Sequence, residues 1–576
     1  MSFTWRGPAL VDDEVVNVGP LALIHPLLQK LDITGIIDRH LPPDPQQELC
    51  HGQVLAVLLA ARLAQPTALV NVAAWASKSG ADILWNLPAD KLNDDRLGRA
   101  LDAFFEQRHS ILGSVTAQAL RLTELSLQRL HFDTTHLVFY GAYESSAARP
   151  AVALDELRGN DQLPAAHITN GYLTKNHMLQ VGMTSAMNEH GSLAVFSECL
   201  DGNRNGHPAI REQYQLLRRH LPLPPELLMI SDRGTFSADH VARLLRHGHH
   251  VLCSVPWHDY RALYDEHRQS LTWRKASFLS MEQQRRRQAN SALPREDYEL
   301  AVVNHTLTDP TKQEPFACRV IFVRSSADAK ECQQRREQNI AKIKAGLEKI
   351  ALKVQRAHPR SDQASIARQV VRLLGKRDAA RYFRWEMVPL AAEEQATATP
   401  VGRGYRKQTH RFVFTLDAAA AQADQGYDGL SVLVTTAPLT KSADALFSEF
   451  KQQNFVELGH HQWKTPLAVC PVFLKNPQRV EALVSVLQLA LQAYQVLEHS
   501  YRRTVPAGSP MAEQHMTAES LLKQFQVCGL VVRQSNYGRV IHATRLTKRQ
   551  REILNQLSYR TPAQTLVAVL RPAPTG

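Results

Sequence analysis

Near Leu127 the apolar period of this 576-residue chain changes from helical to strand-like, and that change constrains the fold more than any other feature. Before it, from about Gly52 to Thr123, apolar residues recur at intervals of three and four, with Val54, Val57, Leu58 and Ala61 forming one face. Asn93-Asp94-Asp95-Arg96, ahead of Leu97, Ala100 and Leu101, has the order of a capped helix start. After it, Leu130, Phe132 and Leu137 to Tyr140 read as strand, as do His177 to Ser185 and Ser192 to Ser197. A helix (Ala209 to His220), a buried strand (Leu227 to Ile230), a helix (Ser237 to His247) and a strand (Val251 to Val255) follow. Hairpin strands first and alternating strand and helix afterwards predict an α/β layer with a mixed sheet.

This reading divides the chain into five parts. Residues 1–123 form an all-α N-terminal unit, which either reads DNA with one helix or serves in packing and dimerisation. Residues 124–256 are a first part of the α/β core, and 257–424 are an insertion with β segments and a helical hairpin. Residues 425–500 complete the core, and 501–576 are a C-terminal region. In the insertion, Ile340, Ile343, Leu347, Ile350 and Val354 make a coiled-coil seam, flanked by Lys342, Lys344, Lys349, Lys353 and Arg356. A second helix, Ile366 to Leu374, follows the break at His358-Pro359-Arg360. Arg411 to Leu416 and Leu430 to Thr435 are expected to re-enter the sheet, and one long helix, about Ala443 to Trp463, to close it.

Composition excludes several classes. The most apolar run, Leu483 to Leu497, falls short of the roughly 20 residues that a bilayer span needs. The first residues lack the basic-then-apolar order of a signal peptide, so a cytoplasmic location is expected. Seven cysteines without a C-x2-C spacing argue against zinc ribbons and disulfide frameworks. Lys and Arg exceed Asp and Glu by 67 − 55 = 12, which suits a polyanionic partner.

Chemistry is expected where apolar strands end in acids. Asp133 lies in Leu130-His-Phe-Asp-Thr-Thr135, and Asp232 follows Met229-Ile-Ser231. Carboxylates at strand ends of an α/β layer converge at one edge, where they can hold a hard divalent cation. Either acid alone is equally consistent with turn chemistry. Phe450, Gln453, Glu457 and Lys464 fall at intervals of 3, 4 and 7, which at about 100° per residue gives one helix face. A solvated face accounts for that spacing as well.

The strand contexts of Asp133 and Asp232, the long insertion, and the run Phe447-Ser-Glu-Phe-Lys-Gln-Gln-Asn-Phe-Val-Glu-Leu-Gly-His-His-Gln-Trp-Lys464 together resemble the DDE transposases of bacterial insertion sequences. The chain most resembles the insertion-sequence-four superfamily and its sixteen-thirty-four group, to which Pro471 to Leu483 and Leu92 to Asp102 are also similar. The resemblance implies an RNase H-like core in which Asp133, Asp232 and Glu457 are catalytic and hold two Mg²⁺ ions, with Mn²⁺ able to substitute. It implies a DNA-contacting signature of Tyr, Arg, Glu and Lys, in which Phe450 replaces Tyr, Gln453 replaces Arg, and Glu457 and Lys464 match. Arg233, Arg285, Arg286, Arg287, Arg403 and Arg406 are expected to contact DNA backbone. The implied partners are double-stranded DNA at the element's inverted repeats, target DNA, and a second subunit in a synaptic homodimer. The implied activity is cut-and-paste transposition. The alternatives are an RNase H-fold endonuclease without strand transfer and a non-catalytic DNA-binding protein derived from a transposase.

Overall fold

The computed structural model describes residues 10–139, 163–170, 177–188, 190–203, 206–232, 236–280, 283, 286, 290, 297–356, 362–375, 377–397, 408–465, 467, 474–535 and 538–565. The architecture is mixed α/β around one large sheet. Three neighbouring strands at its centre are parallel: β2 (Arg129–Phe139), β6 (Leu228–Ser231) and β7 (His250–Val255). On one side, β4 (His177–Asn188) pairs antiparallel with β2, and β3 (Thr169–Asn170) and β5 (Gly191–Asp201) both pair with β4. On the other side run β13 (Leu430–Thr435), β10 (Pro315–Ser325), β9 (Tyr298–Thr308) and β8 (Arg274–Lys275).

The parallel centre follows from the connections. Helices Gly206–His220 and Ala238–Arg246 precede β6 and β7, and parallel neighbours need such crossovers. All four residues of β6 are buried, as a strand covered on both faces requires.

Three differences from the sequence reading come from pairings between distant segments. The N-terminal part is not all helical: β1 (Leu10–Asn17) pairs with β14 (Gly529–Ser535), and β15 (Gly538–Ala543) completes that sheet. Within 257–424, β8, β9 and β10 extend the large sheet, so the layer does not stop at residue 256. Leu430–Thr435 joins that sheet, but His410–Leu416 (β12) pairs with β11 (Phe383–Pro389) in a separate two-stranded sheet.

The helical hairpin of the insertion is present as helices Ser326–Gln355 and Gln363–Leu374, capped by Ser325 and Asp362. Ile343, Leu347, Ile350 and Val354 are buried against Ile366, Val370, Phe383 and Phe412. Gly346 allows the close approach, since a Cβ there would sit 2.4 Å from Leu373 Cδ1. The break at 358–360 lies outside the described residues.

The central buttress of the core is the helix Pro477–Arg502, which is long and apolar enough by length and composition to cross a membrane and is fully buried over that stretch. It packs on helix Asp94–Thr123 and on β5. Asn93 caps helix Asp94–Thr123, accepting from the Arg96 amide at 2.8 Å. Arg479 then grips Asp102 with two hydrogen bonds of 2.8 and 2.7 Å. Deeper in, Arg108 and Glu481 form an ion pair at 2.8 Å with both side chains almost fully buried. Each fully buried Leu or Val along this interface contributes about 1.5–3 kcal/mol.

Candidate active site

Strand register sets the site. β2 and β6 align Phe132 with Ser231, and β6 and β7 align Ser231 with Cys253. The next residues are Asp133 within β2, Asp232 immediately after the end of β6, and Ser254 within β7, so these three polar side chains follow apolar or small residues at one level of the sheet. Adjacent strands lie about 4.8 Å apart, which brings the two aspartates side by side. Asp133 Oδ1 accepts from the Thr134 amide at 2.7 Å, and Asp232 Oδ1 accepts from Ser254 Oγ at 2.6 Å.

The third carboxylate arrives on a helix, though not the one the sequence predicts. The expected continuous helix is two helices, Ala443–Lys451 and Asn454–Lys464, separated by a turn at Gln452-Gln453. Helix geometry explains the break. The first helix buries Leu446 and Phe447, and the second buries Val456 and Trp463. In one continuous helix, Phe447 would face about 180° away from Val456 and about 160° away from Trp463. The turn reorients the second helix relative to the first, so that Phe447 and Trp463 are each buried on their own helix.

The four-residue face is accordingly divided. Phe450, on the first helix, packs against the cluster that holds Leu446, Phe447 and Ile230. Gln453 sits in the turn, with its side-chain oxygen buried and unpaired. Glu457 and Lys464, both exposed, share the second helix, about 20° apart around its axis. Gly459 lets this helix approach the buttress, since a Cβ there would lie 3.2 Å from Gln495 Nε2.

The charges of these groups act on one another. The Asp133 carboxyl is pushed up to about 6, chiefly by burial, with the Asp232 and Glu457 charges adding to the rise. The Thr134 amide and Lys464 oppose it. The other two glutamates nearby in sequence are engaged elsewhere. Glu449 faces Arg129 and Lys441, each at 3.4 Å, and Glu481 is held by Arg108 and by the Ala166 amide at 2.7 Å.

Two members of the site escaped the sequence reading. His460 lies with Nδ1 3.5 Å from Asp133 Oδ2, and burial and Lys464 push its ring down to about 4. Its Nε2 is buried without a hydrogen-bond partner. The spacing Glu457-x2-His460 was the available signal, since i and i+3 are neighbours on a helix. Ser254 carried no sequence signal; only strand register brings it to Asp232.

Among the expected DNA-contacting arginines, Arg286 is exposed, and Arg233, Arg285, Arg287, Arg403 and Arg406 lie outside the described residues.

Hard carboxylate oxygens fit a divalent cation, and the Asp133 carboxyl, raised chiefly by burial and further by the Asp232 and Glu457 charges, is one whose ionised form a cation would stabilise. Among the described residues, no group of three His, Cys, Asp or Glu side chains is drawn together tightly enough to hold one ion. The donor set that fits is thus the adjacent pair Asp133 and Asp232, with Glu457 approaching from its helix.

Residues 13–116 match a family described as a domain of unknown function, DUF4277. No curated protein matches the chain. A solved structure of the piggyBac transposase synaptic complex with hairpin DNA is similar at 7% identity, covering 88% of this chain and 79% of that one, with a TM-score of 0.32.

Proposed function

We propose that the chain is a DDE transposase of an insertion sequence, with an RNase H-like core, that cuts DNA at the element's ends and joins them to target DNA. The observation that supports this reading best is the alignment of Asp133, within β2, with Asp232, just past the end of the parallel neighbour β6, together with the action of the Glu457 charge on Asp133.

In this reading Asp133, Asp232 and Glu457 would together hold two Mg²⁺ ions. Bound there, the ions would supply Lewis-acid activation of the attacking oxygen and stabilisation of the leaving oxygen. The residues do the rest. Ser254 fixes Asp232 through its 2.6 Å hydrogen bond. His460 buttresses Asp133. Lys464, on the Glu457 face, offsets negative charge at the site and would neutralise a phosphate. Where the family has Tyr, Phe450 is packed into the core, so this chain would bind the strand end without a hydroxyl there.

The test is incubation with Mg²⁺ and a labelled duplex carrying the inverted repeats that flank the gene. Nicking followed by joining is expected. Nicking without joining would favour a plain endonuclease, and binding without either would favour a non-catalytic DNA-binding protein.

A further inference from the structure

The helix Ser326–Gln355 uses one face for its apolar seam, and a second face remains to be explained. Arg335, Lys342, Lys349 and Arg356 recur every seven residues, the last at the C-cap, and all four are exposed. Seven residues turn a helix by about 700°, so each cation is offset from the previous one by only about 20° and displaced by about 10.5 Å along the axis. The four form a stripe about 32 Å long. Lys353 falls within it and is half-buried, donating to Gln369 Oε1 at 2.8 Å.

Asp328 and Glu331 continue the line of the stripe toward the start of the helix, but from Lys342 onward it carries no counter-charge. Between Arg335 and Arg356 the acidic residues are Glu337 and Glu348, which lie about 120–140° around the helix from Lys342. Among the described residues no ion pair involves Lys342, Lys349 or Arg356. The buried seam, centred on Ile343, Leu347, Ile350 and Val354, lies about 110° away, so the hairpin core does not use these side chains.

We propose that this stripe is a docking surface for the phosphate backbone of duplex DNA, separate from the carboxylate site; the proposal rests on the transposase reading. A spacing of about 10.5 Å is comparable to the ~12 Å width of the major groove, so successive cations can meet phosphates on its two sides. Long flexible cations at a regular pitch, with Leu352 the one exposed large apolar side chain beside them among the described residues of this helix, suit a regular polyanion better than a protein face, whose core is apolar. Such cation–phosphate pairs fix where the duplex lies and read no sequence.

The test uses the full chain and a fluorescent 30-base-pair duplex of arbitrary sequence, with anisotropy titrations repeated over a range of salt. Wild-type affinity should fall linearly on a log–log plot. The triple variant Lys342→Gln, Lys349→Gln, Arg356→Gln should flatten the slope by about 2.7, roughly 0.9 for each phosphate left without its cation. Lys344→Gln, on the opposite side of the same helix, should leave the slope unchanged. An unchanged slope in the triple variant overturns the stripe while leaving the transposase reading intact. A wild type without salt-dependent duplex binding overturns both.

Discussion

His460 places its Nδ1 3.5 Å from Oδ2 of Asp133, joining the Glu457 helix to the central strand at the carboxylate itself. With its ring held down to about 4, the side chain is neutral at pH 7 and steadies Asp133 without competing as a cation. Outer partners of metal ligands typically matter by 10–100-fold in metal affinity. His460→Ala is therefore expected to weaken Mn²⁺ binding by about that factor, read by titration calorimetry on the free protein. Unchanged Mn²⁺ affinity would remove His460 from the site.

Asp133 gives a pH-dependent signature. Its carboxyl is raised from 3.8 to about 6, so the folded state holds the proton more tightly than the unfolded chain does. The resulting stability is fully present below pH 3.8 and is lost as pH rises through about 6. At pH 8 the ionised side chain costs on the order of 2–3 kcal/mol. Asp133→Asn should thus raise the urea midpoint at pH 8 and change it little at pH 4. Equal effects at both pH values would contradict a buried Asp133 that holds its proton in the folded state.

The Arg108–Glu481 pair predicts a purely structural phenotype. Both partners are buried, and removing one leaves the other charge uncompensated. Glu481→Gln should destabilise the fold by about 3–5 kcal/mol in equilibrium denaturation. A midpoint within error of wild type would show that the pair is solvated.

Local signals were readable from the sequence, and long-range pairings were not. Asp133 and Asp232 stand out because each follows a run of strand residues, and the structure puts Asp133 within β2 and Asp232 just past the end of its neighbour β6. The seam from Ile343 to Val354 was legible because helical periodicity is local. The β1–β14 pairing joins segments near opposite ends of the chain, and β12 looks the same in sequence whether it joins the large sheet or pairs with β11. The turn at Gln452-Gln453 has no Gly or Pro to announce it. It accompanies the burial of Phe447 and Trp463 on differently oriented helices, which depends on what each helix packs against.

The central claim is that Glu457, rather than Glu449, completes the site with Asp133 and Asp232. An amide keeps the shape of the side chain but loses the charge that holds a divalent cation. The decisive measurement is Mg²⁺-dependent nicking and joining of an end-labelled duplex, resolved on a sequencing gel, with duplex binding followed in parallel. Glu457→Gln, like Asp133→Asn and Asp232→Asn, should bind the duplex and lose both reactions by at least about 100-fold, a barrier of about 2.7 kcal/mol. Glu449→Gln should retain them, since its partners are Arg129 and Lys441. Full activity in Glu457→Gln together with loss in Glu449→Gln would contradict the account.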